Sequence, residues 1–180
     1  NDGIEEEDAE RTTPESCEVQ RILSKMVHNG CGACVMETSS HGLSLGRIEG
    51  CFFDAAVFTN LSEEHLDYHG TLENYFSSKS RLFSDYMKPS WAGGANSDDI
   101  FARRLFEYFP DKLVSFGIEK DRAPLLLGSA IQSSLEGTRF SLTLPGVSDP
   151  IPVFLPLPGK FNVYNALAAL SATLPYATDK

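Results

Sequence analysis

The chain has 180 residues, 42 % of them hydrophobic, with 15 Lys+Arg against 25 Asp+Glu and a net charge of -10. That length suits one globular domain, on a scale of about 100–200 residues per domain, and no apolar run nears the roughly 18 residues that a membrane span requires. The acidic balance argues against a nucleic-acid sheath, which needs a surplus of Lys and Arg on one face. Eight of the acidic residues lie in Asn1 to Glu18, where Arg11 is the one basic residue. Residues 1–11 therefore read as a mobile acidic lead-in, and 12–180 as the folded domain. No basic n-region with an apolar h-region is present, so the expected setting is cytoplasmic, with Cys17, Cys31, Cys34 and Cys51 reduced.

In chain order, Val19, Ile22, Leu23, Met26 and Val27 recur at helical spacing after Thr13-Pro14, and Asn29-Gly30 supplies a stop. The apolar runs Ala33-Cys34-Val35-Met36 and Ala55-Ala56-Val57-Phe58 read as buried strands that end in polar residues. Leu72 to Met87 carries a helical apolar stripe that Pro89 ends, and Gly93-Gly94-Ala95-Asn96 reads as a loop. A helix over Ile100 to Tyr108 and a strand over Leu113 to Phe116 follow. Strands at about 125–155 then read as a small antiparallel meander, and Asn162 to Leu174 as an Ala-rich helix. The alternation predicts an α/β fold: a mostly parallel sheet covered by helices, with a small antiparallel β appendage.

Open parallel sheets bind ligands outside the carboxyl ends of their strands. Glu37 ends one predicted strand, and Glu64, His65, Asp67 and His69 follow the end of the other at Thr59-Asn60. Such carboxylates and imidazoles can hold a divalent cation or move protons, and His65-x3-His69 has the spacing of two zinc ligands on one helix face. The same segment also reads as a solvated helix start. Lys79 lies within the helix between Phe76 and Leu82, where a lysine ordinarily snorkels. Cys31-x2-Cys34 lacks the four ligands of a structural zinc site. No G-x-x-x-x-G-K-[ST] phosphate loop occurs in the sequence, and Gly159-Lys160-Phe161 fails at the hydroxyl position.

Four stretches together resemble the Mur ligase family: Met36-Glu-Thr-Ser-Ser-His-Gly-Leu-Ser-Leu-Gly-Arg47, Val57-Phe-Thr-Asn-Leu-Ser-Glu-Glu-His-Leu-Asp-Tyr-His-Gly70, Tyr75-Phe-Ser-Ser-Lys-Ser-Arg-Leu-Phe83 and Leu157-Pro-Gly-Lys-Phe-Asn-Val-Tyr-Asn-Ala-Leu-Ala-Ala169. Arg11-Thr-Thr-Pro14 and Asn96-Ser-Asp-Asp99 extend the resemblance, which covers most of the chain from Arg11 onward. It implies a three-layer, P-loop-like α/β/α central domain of a cytoplasmic, monomeric ligase. Such an enzyme uses ATP and Mg²⁺ to activate a UDP-N-acetylmuramoyl dipeptide as an acyl phosphate, which a diamino acid then attacks, in peptidoglycan synthesis.

Carried over by position, Glu37 and His65 would hold a Mg²⁺, and Lys79, as a carbamate, a second. A carbamate turns a cation into a metal-binding anion, and forming it requires the amine first to lose its proton. Thr12, Thr13, Ser39 and Arg47 match positions that contact the UDP-muramoyl peptide. Asn60 matches the Thr-Asn signature beside the metals, and Phe161, Asn162 and Asn165 match the segment near the adenine. The phosphate loop expected before Thr12 and the amino-acid-binding domain expected after Lys180 are outside these residues, so the chain alone is expected to be inactive as a ligase. Two other readings stay open: a hydrolase with Zn²⁺ or Mn²⁺ on Glu37, His65, Asp67 and His69, and a non-catalytic UDP-sugar-binding remnant.

Overall fold

The computed structural model describes residues 1–6 and 11–177, in two compact units. The first comprises Asn1–Phe52 and His65–Tyr86; the second comprises Phe53–Glu64 and Met87–Lys180. Part of the expected mobile lead-in falls on residues 7–10, outside the described residues. Asp2, by contrast, is 5 % exposed. Backbone N–H groups of Glu5 and Ile4, together with Lys25, hold its carboxyl well below the usual carboxylate range.

The first unit is helical: α1 (Ser16–His28), α2 (Ser40–Ser44), α3 (Leu66–His69) and α4 (Leu72–Asp85). Glu18 in the first turn of α1 and Lys25 and His28 in its last suit the helix dipole. The helix closes with Gly30 at φ +80°, Cys31 N–H donating to Met26 O and Gly30 N–H to Val27 O, a Schellman closure that favours glycine. Ser39 Oγ caps α2 by accepting from Gly42 N, and Thr71 Oγ1 caps α4 by accepting from Asn74 N. Helix α2 packs on α4, and Leu43, Ile48, Phe76 and Phe83 are buried. Burial of side chains of this size stabilises by about 1.5–3 kcal/mol each.

The second unit is one sheet of six strands in the order β1 (Phe53–Phe58), β2 (Met87–Asn96), β3 (Leu113–Gly117), β4 (Leu126–Ser134), β5 (Gly137–Thr143) and β6 (Ile151–Leu155). Strands β1 to β4 are parallel and β4 to β6 antiparallel, so the meander continues the main sheet. Two helices pack on this sheet, α5 (Ile100–Tyr108) on β2 and α6 (Lys160–Thr173) across β1 to β5. Val163 and Leu167 of α6 meet Phe116, Leu126, Phe140 and Leu142 in the core.

Two expectations from the sequence are corrected. Residues 33–36 form no strand, and Val35 is 99 % exposed: an apolar run becomes a strand only where a ladder partner exists, and none of the described strands pairs with it. Gly93 to Asn96 is no loop but the C-terminal half of β2. Glycine is required there by close approach, since a Cβ on Gly93 would stand 1.9 Å from Ala56 O and one on Gly94 1.9 Å from Ser171 Oγ. Pro89 sits inside β2 as well, in the stretch where register slips between Phe53↔Met87 and Ala55↔Ala92, so no ladder bond needs its missing N–H.

Candidate functional site

In the first unit, Thr13, Ser39 and Arg47 converge. Thr13 is fully buried, and its Oγ1 accepts from Ser39 N at 2.9 Å while lying 3.1 Å from both Glu37 O and Ser39 Oγ. Gly42 makes room for it, because a Cβ there would stand 2.8 Å from Thr13 Cγ2. Arg47, with 13 % of its side chain exposed, donates from Nη1 to Thr13 O at 3.1 Å and pairs through Nη2 with Glu15 at 3.1 Å. Its Nε is buried with no hydrogen-bond partner among the described residues. The Arg47 fork thus fixes the Thr12-Thr13 turn, leaving Thr12 exposed beside it.

A second group surrounds Tyr75, which is 4 % exposed. His69 stacks on its ring at 4.7 Å and 9°, His65 meets it edge-on at 6.0 Å, and Lys79 Nζ lies 5.2 Å from its centroid. His41 stands between His65 and His69, at 5.2 and 5.7 Å, and against Tyr68 at 4.1 Å. His69 is 8 % exposed and shares a hydrogen bond of 2.9 Å between Nε2 and Ser40 Oγ. Burial, then repulsion from His41 and His65, pushes its imidazole below the ordinary value, so it stays neutral. The paired zinc-ligand reading of His65 and His69 fails here. His65 precedes α3 in the left-handed conformation, φ 60° and ψ 20°, and the His69 nitrogen that faces Ser40 is occupied.

Glu37 lies in the first unit, and Asn60, Phe161, Asn162 and Asn165 lie in the second. Asn60 is exposed just past β1, on a turn that Asn96 Nδ2 holds by donating to Thr59 O and Asp99 Oδ2 holds by accepting from Leu61 N, both at 2.9 Å. Asp99 Oδ1 also caps α5. Phe161 is 66 % exposed in the first turn of α6, with Asn162 Nδ2 donating to Pro158 O and Asn165 Nδ2 to Asn162 Oδ1. Asp98 Oδ2 accepts from Ile118 N, Glu119 N and the Tyr164 hydroxyl, tying the ends of β2 and β3 to α6. Burial and the Asp98 carboxylate raise the Tyr164 phenol.

Sequence reasoning missed Tyr75 as anything but core and missed the Asp98–Tyr164 bracket. The available signals were the i, i+4 spacing of Tyr75 and Lys79 and the three-residue register from Phe161 to Tyr164.

Among the described residues no three of His, Cys, Asp and Glu converge as a metal cage. Exposed Glu37 and His65 offer one hard oxygen and one nitrogen. Two protein donors fall short of the four that a closed zinc site uses, and a hydrated cation would take its remaining ligands from water. All four cysteines are free thiols, and desolvation, then the neighbouring thiols of Cys31 and Cys51, push the Cys34 thiol up. No helix among the described residues is long and apolar enough to cross a membrane.

The family profile of the Mur ligase middle domain matches residues 2–173. A UDP-N-acetylmuramoyl-L-alanyl-D-glutamate--2,6-diaminopimelate ligase of Bacillus licheniformis is 40 % identical over 181 residues, covering 95 % of this chain and 36 % of that protein. A UDP-N-acetylmuramoyl-L-alanyl-D-glutamate--L-lysine ligase of Staphylococcus haemolyticus is 40 % identical over 172 residues, covering 93 % and 34 %. A solved structure of a UDP-N-acetylmuramoyl-L-alanyl-D-glutamate--2,6-diaminopimelate ligase superimposes with a TM-score of 0.80 at 33 % identity, over 93 % of this chain and 34 % of that one. The chain spans about a third of the length of the curated relatives it matches. It belongs to the Mur ligase family, as a middle domain of that family.

Proposed function

We propose that the chain is the central part of an ATP-dependent ligase that joins a diamino acid to UDP-N-acetylmuramoyl-L-alanyl-D-glutamate in the cytoplasm, for peptidoglycan synthesis. The observation that carries this reading is 40 % identity, over 95 % of the chain, to a ligase of that name. Identity is also 40 % to an L-lysine ligase, so the segment is common to both amino-acid specificities.

In this reading the first unit serves the acceptor. Thr12 and Ser39 present hydroxyl and backbone groups to the UDP-muramoyl peptide, while buried Thr13 and half-buried Arg47 keep that turn in shape. Glu37 and His65 would hold Mg²⁺, with Lys79 as a carbamate for a second ion, and the metal would supply neutralisation of phosphate charge. The second unit serves the nucleotide, with Asn60 near the phosphates and Phe161, Asn162 and Asn165 near the adenine.

The test is calorimetric titration of the chain with UDP-N-acetylmuramoyl-L-alanyl-D-glutamate, with UDP and with MgCl₂. Saturable binding of the dipeptide precursor, tighter than that of UDP, is expected. His65→Asn keeps a residue tolerant of the left-handed backbone while removing the imidazole, and is expected to retain precursor binding and lose the Mg²⁺ response. No heat with the precursor overturns the acceptor reading.

A further inference from the structure

We propose that Tyr75 is a positioning residue, whose ring plane sets where the Lys79 amine and the His65 imidazole stand. The proposal rests on the reading above of Lys79 and His65 as metal-side groups, and it gives Tyr75 a role beyond filling the helix stripe in which its sequence places it.

Three elements fix the ring. Tyr75 is buried on α4, and the parallel His69 ring at the end of α3 covers it at 4.7 Å, within the range that stacked aromatic rings prefer. His69 is itself held by Ser40 of α2 through Nε2, and its carbonyl accepts from Asn74 Nδ2 at 3.0 Å. Ser78 Oγ closes the frame by donating to Ser40 O at 3.1 Å.

Two chemically active groups then rest on that one ring. Lys79 follows Tyr75 by four residues, so its stem runs past the ring, and its Nζ lies 5.2 Å from the centroid, inside the reach of cation–π attraction. A lysine stem has four rotatable carbons and samples many positions when nothing bounds it. His65 lies edge-on to the same ring at 6.0 Å and 86°, and its left-handed backbone fixes the root of its side chain. One buried ring therefore bounds a lysine and an imidazole that are fourteen positions apart in the sequence.

The experiment uses the chain with isotope-labelled lysine and histidine, observed by NMR. Lys79 side-chain signals are identified by their loss in Lys79→Arg. Ring current is expected to move the Lys79 Hε signals upfield of exposed lysines in the wild type and in Tyr75→Phe. Tyr75→Leu, which keeps apolar bulk, is expected to return them to the exposed-lysine position and to shift the His65 ring protons. His69→Gln, which keeps a polar partner for Ser40 but removes the stacked ring, is expected to move both sets part of the way. A purely structural role would lower the unfolding midpoint without moving these signals while the chain is folded. Should Tyr75→Leu fail to fold, the wild-type Lys79 shift and its cross-peaks to the Tyr75 ring decide alone. A wild-type Lys79 signal at the exposed-lysine position, or one unmoved by Tyr75→Leu, overturns the proposal.

Labelled bicarbonate separates this from the functional reading. The uncharged Lys79 amine adds to CO₂ through its nitrogen lone pair and releases a proton to water, giving a carbamate carbon signal. That signal is expected in the wild type and in Tyr75→Phe, and at a different intensity in Tyr75→Leu, where the ring that bounds the amine is gone. Equal signals in wild type and Tyr75→Leu overturn the role of Tyr75. Absence of the signal from every variant, with the ring-current shifts intact, overturns the carbamate reading and leaves the placement by Tyr75 standing.

Discussion

Gly94→Ala tests the packing that places α6 on the sheet. A Cβ on Gly94 would stand 1.9 Å from Ser171 Oγ and 2.5 Å from Ser171 Cβ, closer than real Cβ contacts come, so β2 or α6 has to shift. Overpacking of this kind costs about 1–3 kcal/mol. Ser171 cannot swing aside freely, since it is fully buried with its hydroxyl donating to Ala168 O at 2.7 Å. Ser171→Gly removes both clashing atoms and leaves Phe116 Cδ1, at 3.4 Å, as the next neighbour. Its own cost, from glycine inside a helix, is about 0.5–1 kcal/mol. The double variant is therefore expected to lose about 1–2 kcal/mol less than the sum of the single losses, a coupling typical of residues in contact. Gly93→Ala is the contrast: its Cβ would meet Ala56 O at 1.9 Å, and backbone cannot be mutated away. It is expected to cost more than Gly94→Ala and to gain nothing from Ser171→Gly. The assay is equilibrium urea unfolding, read from midpoints at a common slope. Losses from Gly94→Ala and Ser171→Gly that simply add would refute the contact, and with it the assignment of the glycine run to a strand beneath α6.

Two further outcomes follow from titrating or hydrogen-bonding groups. The folded chain holds His69 below its ordinary value of 6.5 through burial, then through His41 and His65. Between the folded and ordinary values the unfolded chain binds the extra proton, so stability is full above about pH 6.5 and declines as pH falls through the folded value. Urea midpoints measured across that range are expected to slope less in His69→Gln than in the wild type; equal slopes would show that His69 titrates as it does when unfolded. Tyr164→Phe removes a donor to the Asp98 carboxylate, a charge-assisted bond at 2.9 Å. Thermal and urea unfolding are expected to show a loss of about 1.5–3 kcal/mol, and a neutral result would mean that the two backbone donors suffice for Asp98.

Much of the fold was legible because its signals are local. Val19 to Met26 repeat at helical spacing and Gly30 takes the left-handed closure that such a stop implies, so α1 runs where periodicity puts it. Where the sequence misled, the deciding partner was distant. Gly93 and Gly94 look like a turn until Ala56 and Ser171, 37 and 77 positions away, are seen against them. Val35 looks like core until no strand is found to pair with its segment. At the site, the resemblance chose Thr13, Ser39 and Arg47 as a set, yet offered no hint that Arg47 faces the carbonyl of Thr13. His65 and His69 show how a spacing rule breaks: it assumes unbroken helix, and His65 stands at φ 60° before the helix begins.

The candidate residues lie mainly on loops and helix ends, the segments that a small domain holds least firmly. Here side chains that are not themselves candidates grip the backbone of those segments. Asn96 donates to Thr59 O, Asp99 accepts from Leu61 N, and Asp98 accepts from Ile118 N and Glu119 N. Within the first unit two candidates do this themselves: Thr13 accepts from Ser39 N, and Arg47 donates to Thr13 O. Each such bond adds about 1 kcal/mol net, but leaving a buried partner unsatisfied costs about 1–3 kcal/mol, so the loops have few alternative conformations to visit. Pre-set loops spare a ligand the ordering cost that it would otherwise bear on binding. Substitutions at Asn96, Asp98 or Asp99 are thus expected to release the backbone on which Asn60 and the start of α6 depend.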